Sequence, residues 1–330
     1  CRWSGSSVTC SREDQVCRGH PASVQKSIQL FKGETRGWEC STAMALTPTN
    51  NDELVQYLEH FGMVRSRNLI EALRAVDRGD FAAPQVQTVV YHDQPVRSGD
   101  VHLSAPFIYA AALEEFGLQP GMSFLNIGSG TGYLSYIVSM LVGERGINHG
   151  VERNANLVGH SQRCFAAVDS KLGRHSDIQI LHGNGMFIEP SFRYDRVYVG
   201  AGCNPSLTRD YLCSLLGAGG ILVAPFGDEL VRVVRKANGT FSSSTLCSVC
   251  FSPIVMPTAK EREDKDQKAI RSLNVPAVCL QFVVNPWSPA CHNIYPKPFQ
   301  DIVKAVLLAN ARTGSLPNAV PPTVWMEVRG

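Results

Sequence analysis

Three glycines at alternate positions, Gly128, Gly130 and Gly132, stand in the stretch FLNIGSGTGYLS directly after a short apolar run. Residues without a Cβ let the backbone approach a bound group closely. An open α/β sheet holds nucleotides where a strand delivers the chain into such a turn. Asn126 and Ser129 add polar side chains to it. Glu152 ends the next apolar run, INHGVE, where a carboxylate can accept hydrogen bonds from both hydroxyls of a ribose. Asn184 lies between Gly183 and Gly185 in LHGNGM, where a polar side chain can meet an adenine amine. Each has a plainer reading beside the functional one: a tight strand–helix connection, a solvated cap, an ordinary turn. The dinucleotide pattern GxGxxG, counted from Gly128, requires glycine where the chain has Tyr133, which disfavours a dehydrogenase.

The surrounding segments supply elements that can position these groups. ELVQYLEHFG carries Leu54, Tyr57, Leu58 and Phe61 at helical spacing, with Asn50, Asn51 or Asp52 to cap it and Gly62 to end it. A second amphipathic helix runs through RNLIEALRAVDRG to Gly79, and the Pro-punctuated stretch to Pro106 reads as loop with short extended pieces. From residue 107 the pattern alternates. A helix from Phe107 to Phe116 leads to strand MSFLNI, the glycine turn and helix GYLSYIVSMLVG. Strand INHGVE, helix NLVGHSQRCFAAVDSKL, strands DIQILHG and DRVYVGA, helix PSLTRDYLCSLLG and strand GGILVAPF follow. ELVRVVRKA and SSTLCSVCFSPIV, joined by NGTF, read as a hairpin. Strands alternating with helices imply βαβ units: an α/β fold with a mostly parallel, doubly wound sheet and a late antiparallel hairpin.

Composition narrows the class. Among 330 residues, 44% are hydrophobic and the net charge is only +2, so a sizeable core forms and no electrostatic footprint for nucleic acid is present. The densest charge run, KEREDKDQK at 260–268, mixes both signs and reads as a solvated loop. No apolar stretch reaches the ~18–20 residues that span a bilayer, and the N-terminal residues lack a signal-type apolar core. Eleven cysteines are irregularly spaced, and Cys247 and Cys250 form a CxxC without a second ligand pair. Buried reduced thiols, no metal and a cytoplasmic location are expected. The chain begins with Cys1 rather than Met; residues 1–43 read as a poorly ordered extension, with Met44 a natural start of the folded part. The expected division is extension 1–43, domain 44–257 and C-terminal extension 258–330.

The GxGxG spacing is the pattern of Rossmann-like methyltransferases that use S-adenosyl-L-methionine. HLSAPFIYA, FLNIGSGTG, HGVE, LHGNG, YDRVYVGAG and LLGAGGILVAPFG occur in the order found in protein-L-isoaspartate O-methyltransferases, which the chain resembles over roughly residues 50–257. VHLSAP, LNIGSGTGYLS and INHGVE are most similar to the branch of isoaspartyl methyltransferase domain-containing proteins. The resemblance implies a class I fold, S-adenosyl-L-methionine as cofactor and isoaspartyl-containing proteins or peptides as substrates. It also implies cofactor contacts from Asn126, Gly128, Ser129, Gly130, Gly132, Glu152, Gly183, Asn184 and Gly185.

Methyl transfer to a carboxylate needs no general base, because the acceptor is ionised at neutral pH with a pKa of roughly 4. Rate comes from alignment of the reacting atoms. The family's acceptor loop reads T-I-S-A-P-H, and its serine positions the acceptor. Here the loop is His102, Leu103, Ser104, Ala105, Pro106 and Phe107, which makes Ser104 the catalytic candidate and the others its pocket. An N-cap is the second role open to Ser104, and the two can coexist. His102 and Phe107 depart from the family pattern and put isoaspartyl recognition in question. Asn126 and Asn184 stand where the family has acids. Each trades a charge-assisted hydrogen bond for a neutral one, ~1 kcal/mol or about 5-fold in cofactor affinity per site.

The related branch carries a SOCS-box-like motif after the methyltransferase domain. Here PFQDIVKAVLLANA places Phe299, Ile302, Val303, Val306 and Leu307 on one helical face, followed by SLPNAVPP. Packing onto the domain is one reading; recruitment of elongin B/C and a cullin through 298–322 is the other. The alternative to an enzyme is thus a substrate-recognition subunit of a ubiquitin ligase.

Overall fold

Helix α1 (Asn51–His60) opens on Asn50, whose side chain accepts from the Glu53 N–H and so caps the first turn. Its apolar stripe, Leu54, Val55 and Leu58, is buried. The computed structural model describes residues 47–188 and 193–263. The expected extension over 1–43, the helix at 299–311 and the elongin-type segment 298–322 lie outside them. No helix of the described residues is long and apolar enough to cross a membrane.

Helix α2 spans Arg67–Ala75, shorter than expected. Asp77 takes the Gly79 N–H with its side chain and starts a 3-10 turn over Arg78–Phe81 instead. Gly79 is therefore not a helix terminus; a Cβ there would come 2.5 Å from the Tyr91 hydroxyl. A two-stranded ribbon, β1 (Val96–Ser98) with β2 (Val101–Leu103), leads into α3 (Pro106–Phe116).

The main sheet begins with β3 (Ser123–Ile127), followed by α4 (Tyr133–Val142), β4 (Ile147–Glu152), α5 (Ala155–Leu172), β5 (Gln179–His182) and β6 (Tyr194–Val199). Helix α6 (Pro205–Ser214), β7 (Leu216–Phe226), β8 (Glu229–Arg235), β9 (Phe241–Ser248) and a short α7 (Ala259–Glu263) complete it. The seven strands run in the order β5-β4-β3-β6-β7-β8-β9. All neighbours up to β7 are parallel, and β8 and β9 add antiparallel. This is the expected α/β class. Strand β9 is displaced from the expected hairpin arm: it pairs from Phe241 and ends at Ser248, so residues 249–258 run free of it. Cys247 is partly buried there but Cys250 is exposed, which corrects the expectation that both thiols are buried.

Period-two alternation builds both layers of core. On β3, Phe124 joins the cluster beneath α1 to α5, and Leu125 and Ile127 join the opposite cluster with Leu212 and Leu215 around α6. On β6, Tyr198 faces the first cluster and Val197 and Val199 the second. The chain lays down β3, β4 and β5 in one direction and returns to the other side of β3 with β6. That reversal creates a crevice at the strands' carboxyl ends, the place where such sheets take ligands.

Candidate functional site

Ile127 hands the chain to the glycine turn with its peptide held on both sides. Gly128 and Ser129 N–H groups both reach the Val151 carbonyl (2.8 and 3.2 Å), and the Gly200 N–H reaches the Ile127 carbonyl (2.8 Å). Gly128, Gly130 and Gly132 all have positive φ (75°, 56° and 83°), a conformation L side chains rarely adopt. A Cβ at Gly132 would also lie 2.5 Å from the Phe165 ring.

Around this turn lies a cavity of about 290 Å³. It is lined by the ends of β3, β4, β5 and β6, by His102 and Ser104, and by the segment Ser252–Val255. Of the residues expected in the site, His102, Ser104, Asn126, Gly128, Ser129, Gly130, Glu152, Gly183, Asn184 and Gly185 all line it.

Glu152 is tied down by two backbone donors: one carboxylate oxygen accepts from Gly130 N–H, the other from Asn154 N–H, both at 2.9 Å. A carboxylate offers about four acceptor positions, so lone pairs remain for a ligand's hydroxyls. Asn126, 1% exposed, donates to the Ser135 hydroxyl at 3.0 Å, and its Oδ1 has no partner among the described residues.

Asn184 is placed differently from expectation. Its Oδ1 accepts from Met186 N–H and its amide donates to the Val255 carbonyl, both at 3.0 Å. The side chain thus caps a 3-10 turn and ties the segment that walls the cavity. The side chain expected to meet an adenine amine gives an amide N–H to that segment and accepts from the turn with its carbonyl oxygen.

The acceptor loop divides by strand alternation. His102 faces outward on β2 at the cavity, whereas Leu103 turns inward to full burial. The His102 imidazole is held below its ordinary pKa by partial burial, with Arg97 and Arg78 adding to the effect. Ala105 is the N-cap of α3 with no side-chain capping bond, and Pro106 is its first residue. The Phe107 ring packs on the core and its N–H donates to Asp93 at 2.9 Å. Leu103, Ala105, Pro106 and Phe107 therefore shape the loop rather than line the cavity, and the same holds for Gly132. Ser104 does not cap the helix either: the residue lines the cavity, and its hydroxyl has no hydrogen bond among the described residues.

Sequence reasoning missed Tyr109, Tyr133 and Tyr198, three rings that line the cavity. In the sequence Tyr133 is marked only as a departure from a glycine. Tyr198 is 2% exposed, and its hydroxyl is buried without a partner among the described residues. Helical spacing from the Ala-Pro pair places Tyr109 beside the loop, and that signal was available. Ser252–Val255 was not legible, because its role rests on contacts distant in sequence: Gly202 N–H to Ser252 O and Ile254 N–H to Gly202 O, both 2.8 Å. No cluster of three or more metal-ligating side chains occurs among the described residues.

The arrangement can hold a nucleoside across the glycine turn with its ribose at Glu152, and present a second group to Ser104. The profile of the protein-L-isoaspartate(D-aspartate) O-methyltransferase family matches residues 49–259. Protein-L-isoaspartate O-methyltransferase 1 of Arabidopsis thaliana is 33% identical over 222 residues, covering 65% of this chain and 95% of that protein. Protein-L-isoaspartate O-methyltransferase of Methanococcus maripaludis is 30% identical over 212 residues, with coverages of 62% and 96%. Among solved structures, a PCMT of Plasmodium falciparum in complex with S-adenosyl-L-homocysteine superposes with a TM-score of 0.54. It shares 24% identity and covers 63% of this chain and 99% of its own, a likeness of fold.

Proposed function

The chain belongs to the protein-L-isoaspartate(D-aspartate) O-methyltransferase family, and from that premise we propose that it binds S-adenosyl-L-methionine and methylates isoaspartyl carboxylates of proteins and peptides. One observation carries the reading: one cavity is lined by the glycine turn, Glu152 and Ser104. The residues present fit the cofactor. Glu152 retains acceptor capacity for ribose hydroxyls, and the three left-handed glycines keep side chains off the turn. Bound S-adenosyl-L-methionine would supply a methyl group activated on a sulfonium: a carboxylate oxygen would bond to the methyl carbon as the C–S bond breaks, giving an ester and releasing a neutral thioether.

The chain's own residues orient and desolvate. The Ser104 hydroxyl donates to one oxygen of the acceptor carboxylate and leaves the other free to attack. Tyr109, Tyr133 and Tyr198 line the cavity with rings that exclude water, which strengthens the attraction between carboxylate and sulfonium. No side chain needs to take a proton, and His102, its pKa lowered, stays neutral at physiological pH. The buried thiols Cys164, Cys203 and Cys213 fit a reducing, cytoplasmic setting.

The test is methylation of an isoaspartyl peptide. Ser104→Ala is expected to lower kcat/KM by about 10-fold or more, the scale of one positioned hydrogen bond to a charged group. Cofactor affinity by calorimetry is expected to stay within about 2-fold. A collapse of cofactor affinity with unchanged turnover per bound complex would remove Ser104 from its assigned role.

A further inference from the structure

Arg78 is a charged side chain with no exposure at all, and no carboxylate lies within ion-pair distance of it among the described residues. Burying a guanidinium with no carboxylate in contact is costly, and the charge of Asp93 acts on it only from beyond ion-pair distance, so what it touches is informative. Its Nε donates to the Val90 carbonyl and its Nη2 to the Ser104 carbonyl, each at 2.8 Å. Its carbon Cζ lies 5.7 Å from the Tyr133 ring centre and 5.9 Å from that of Tyr109. Those two rings meet edge to face at 5.6 Å, and both line the cavity. Tyr109 also accepts the Ser104 N–H at 3.0 Å. The peptide groups of Ser104 are thus gripped at both polar ends, C=O by Arg78 and N–H by Tyr109, and only the hydroxyl is left uncommitted.

We propose that Arg78, with Tyr109 opposite it, is the positioning clamp that fixes the Ser104 hydroxyl toward the acceptor carboxylate. The inference rests on the acceptor role of Ser104 given above and adds the residues through which that role is set. Arg78 acts from behind the cavity wall and touches neither substrate nor cofactor. Its planar fork spans two carbonyls at once; a lysine, with one compact donor group, serves only one of them well.

The deciding experiment is a double-mutant cycle on the full chain with S-adenosyl-L-methionine and an isoaspartyl peptide, comparing wild type, Arg78→Lys, Ser104→Ala and the double variant. Arg78→Lys is expected to raise the peptide KM about 10-fold while the cofactor dissociation constant moves less than about 3-fold. In the Ser104→Ala background the same change is expected to cost less than about 2-fold, because the hydroxyl it positions is gone. Equal losses in both backgrounds would overturn the clamp and leave Arg78 a support of the fold. So would full rescue by lysine. Where Arg78→Lys does not fold, Tyr109→Phe replaces it in the cycle with the same criteria. If the wild type binds cofactor and methylates no isoaspartyl peptide, the functional reading falls and the clamp is decided by amide exchange over 103–107. Faster exchange in either clamp variant, with 123–152 unchanged, supports it, and unchanged exchange overturns it.

Discussion

At the residue scale, Glu152 does two jobs that its sequence position only half reveals. Its place at the end of INHGVE underlies the ribose role proposed for it, and the structure adds that both oxygens hold backbone N–H groups, of Gly130 and Asn154. The carboxylate therefore sets the glycine turn and the start of α5 before any ligand arrives. Glu152→Gln places an amide where both partners are donors, so one N–H loses its acceptor whichever way the amide turns. Loss of one charge-assisted bond to the turn and one to a ribose hydroxyl amounts to about 2–4 kcal/mol. The expected outcome is S-adenosyl-L-methionine binding weakened by at least about 30-fold in calorimetry. A change under about 3-fold would mean that the ribose is not held here.

At the element scale, the segment between β9 and α7 matters most and was least legible. It is bonded to Gly202 at Ser252 and Ile254 and to Asn184 at Val255, and α7, which follows it, is held to Arg153 by the 3.0 Å ion pair of Glu261. It crosses the strands' carboxyl ends as a strap. From sequence, Asn184 in place of an acid reads as a weakened adenine contact. In the structure the amide is what a strap carbonyl requires: an aspartate would still accept from Met186 N–H but would turn its second oxygen toward Val255 O. Asn184→Asp is therefore expected to loosen the strap and raise the cofactor off-rate about 5–10-fold, the equivalent of one lost hydrogen bond. Stopped-flow dissociation measures this. Tighter binding in the variant would restore a direct adenine contact and refute the tether. The contrast shows what sequence could convey. Strands β3 to β7 were legible because each carries a period-two or continuous apolar run that local chemistry ends with glycine, asparagine or proline. The places of Ser104, Glu152, Gly128 and Gly130 at the cavity were legible because each follows from position along one strand end. The strap, Tyr198 and Arg78 were not, since each takes its meaning from partners on other elements.

At the scale of the whole molecule, a part-buried carboxyl, Asp93, and a buried imidazole, His149, have opposed proton preferences in one pH window. Burial pushes the Asp93 carboxyl up from 3.8 to about 6, with the Phe107 N–H and Arg78 partly opposing it. Burial pushes the His149 imidazole, which is hydrogen-bonded to the Tyr194 hydroxyl at 2.8 Å, down from 6.5 to about 4. For Asp93 the folded chain binds a proton more tightly than the unfolded chain. Its charged form thus costs roughly 3 kcal/mol above about pH 6, a cost relieved as pH falls toward 3.8. For His149 the unfolded chain binds the proton more tightly, so stability falls by roughly 3 kcal/mol as pH drops from 6.5 through about 4. The slopes are opposite and overlap, and the stability of the wild type is expected to be nearly level across that range. Asp93→Asn keeps an acceptor for the Phe107 N–H and removes one slope. The variant is expected to exceed the wild type by roughly 2–3 kcal/mol at pH 7.5, then to lose that advantage on acidification and meet it near pH 4. Urea unfolding at pH 7.5, 5.5 and 4 checks this, and parallel stability curves for the two proteins would show that Asp93 does not titrate as its surroundings require.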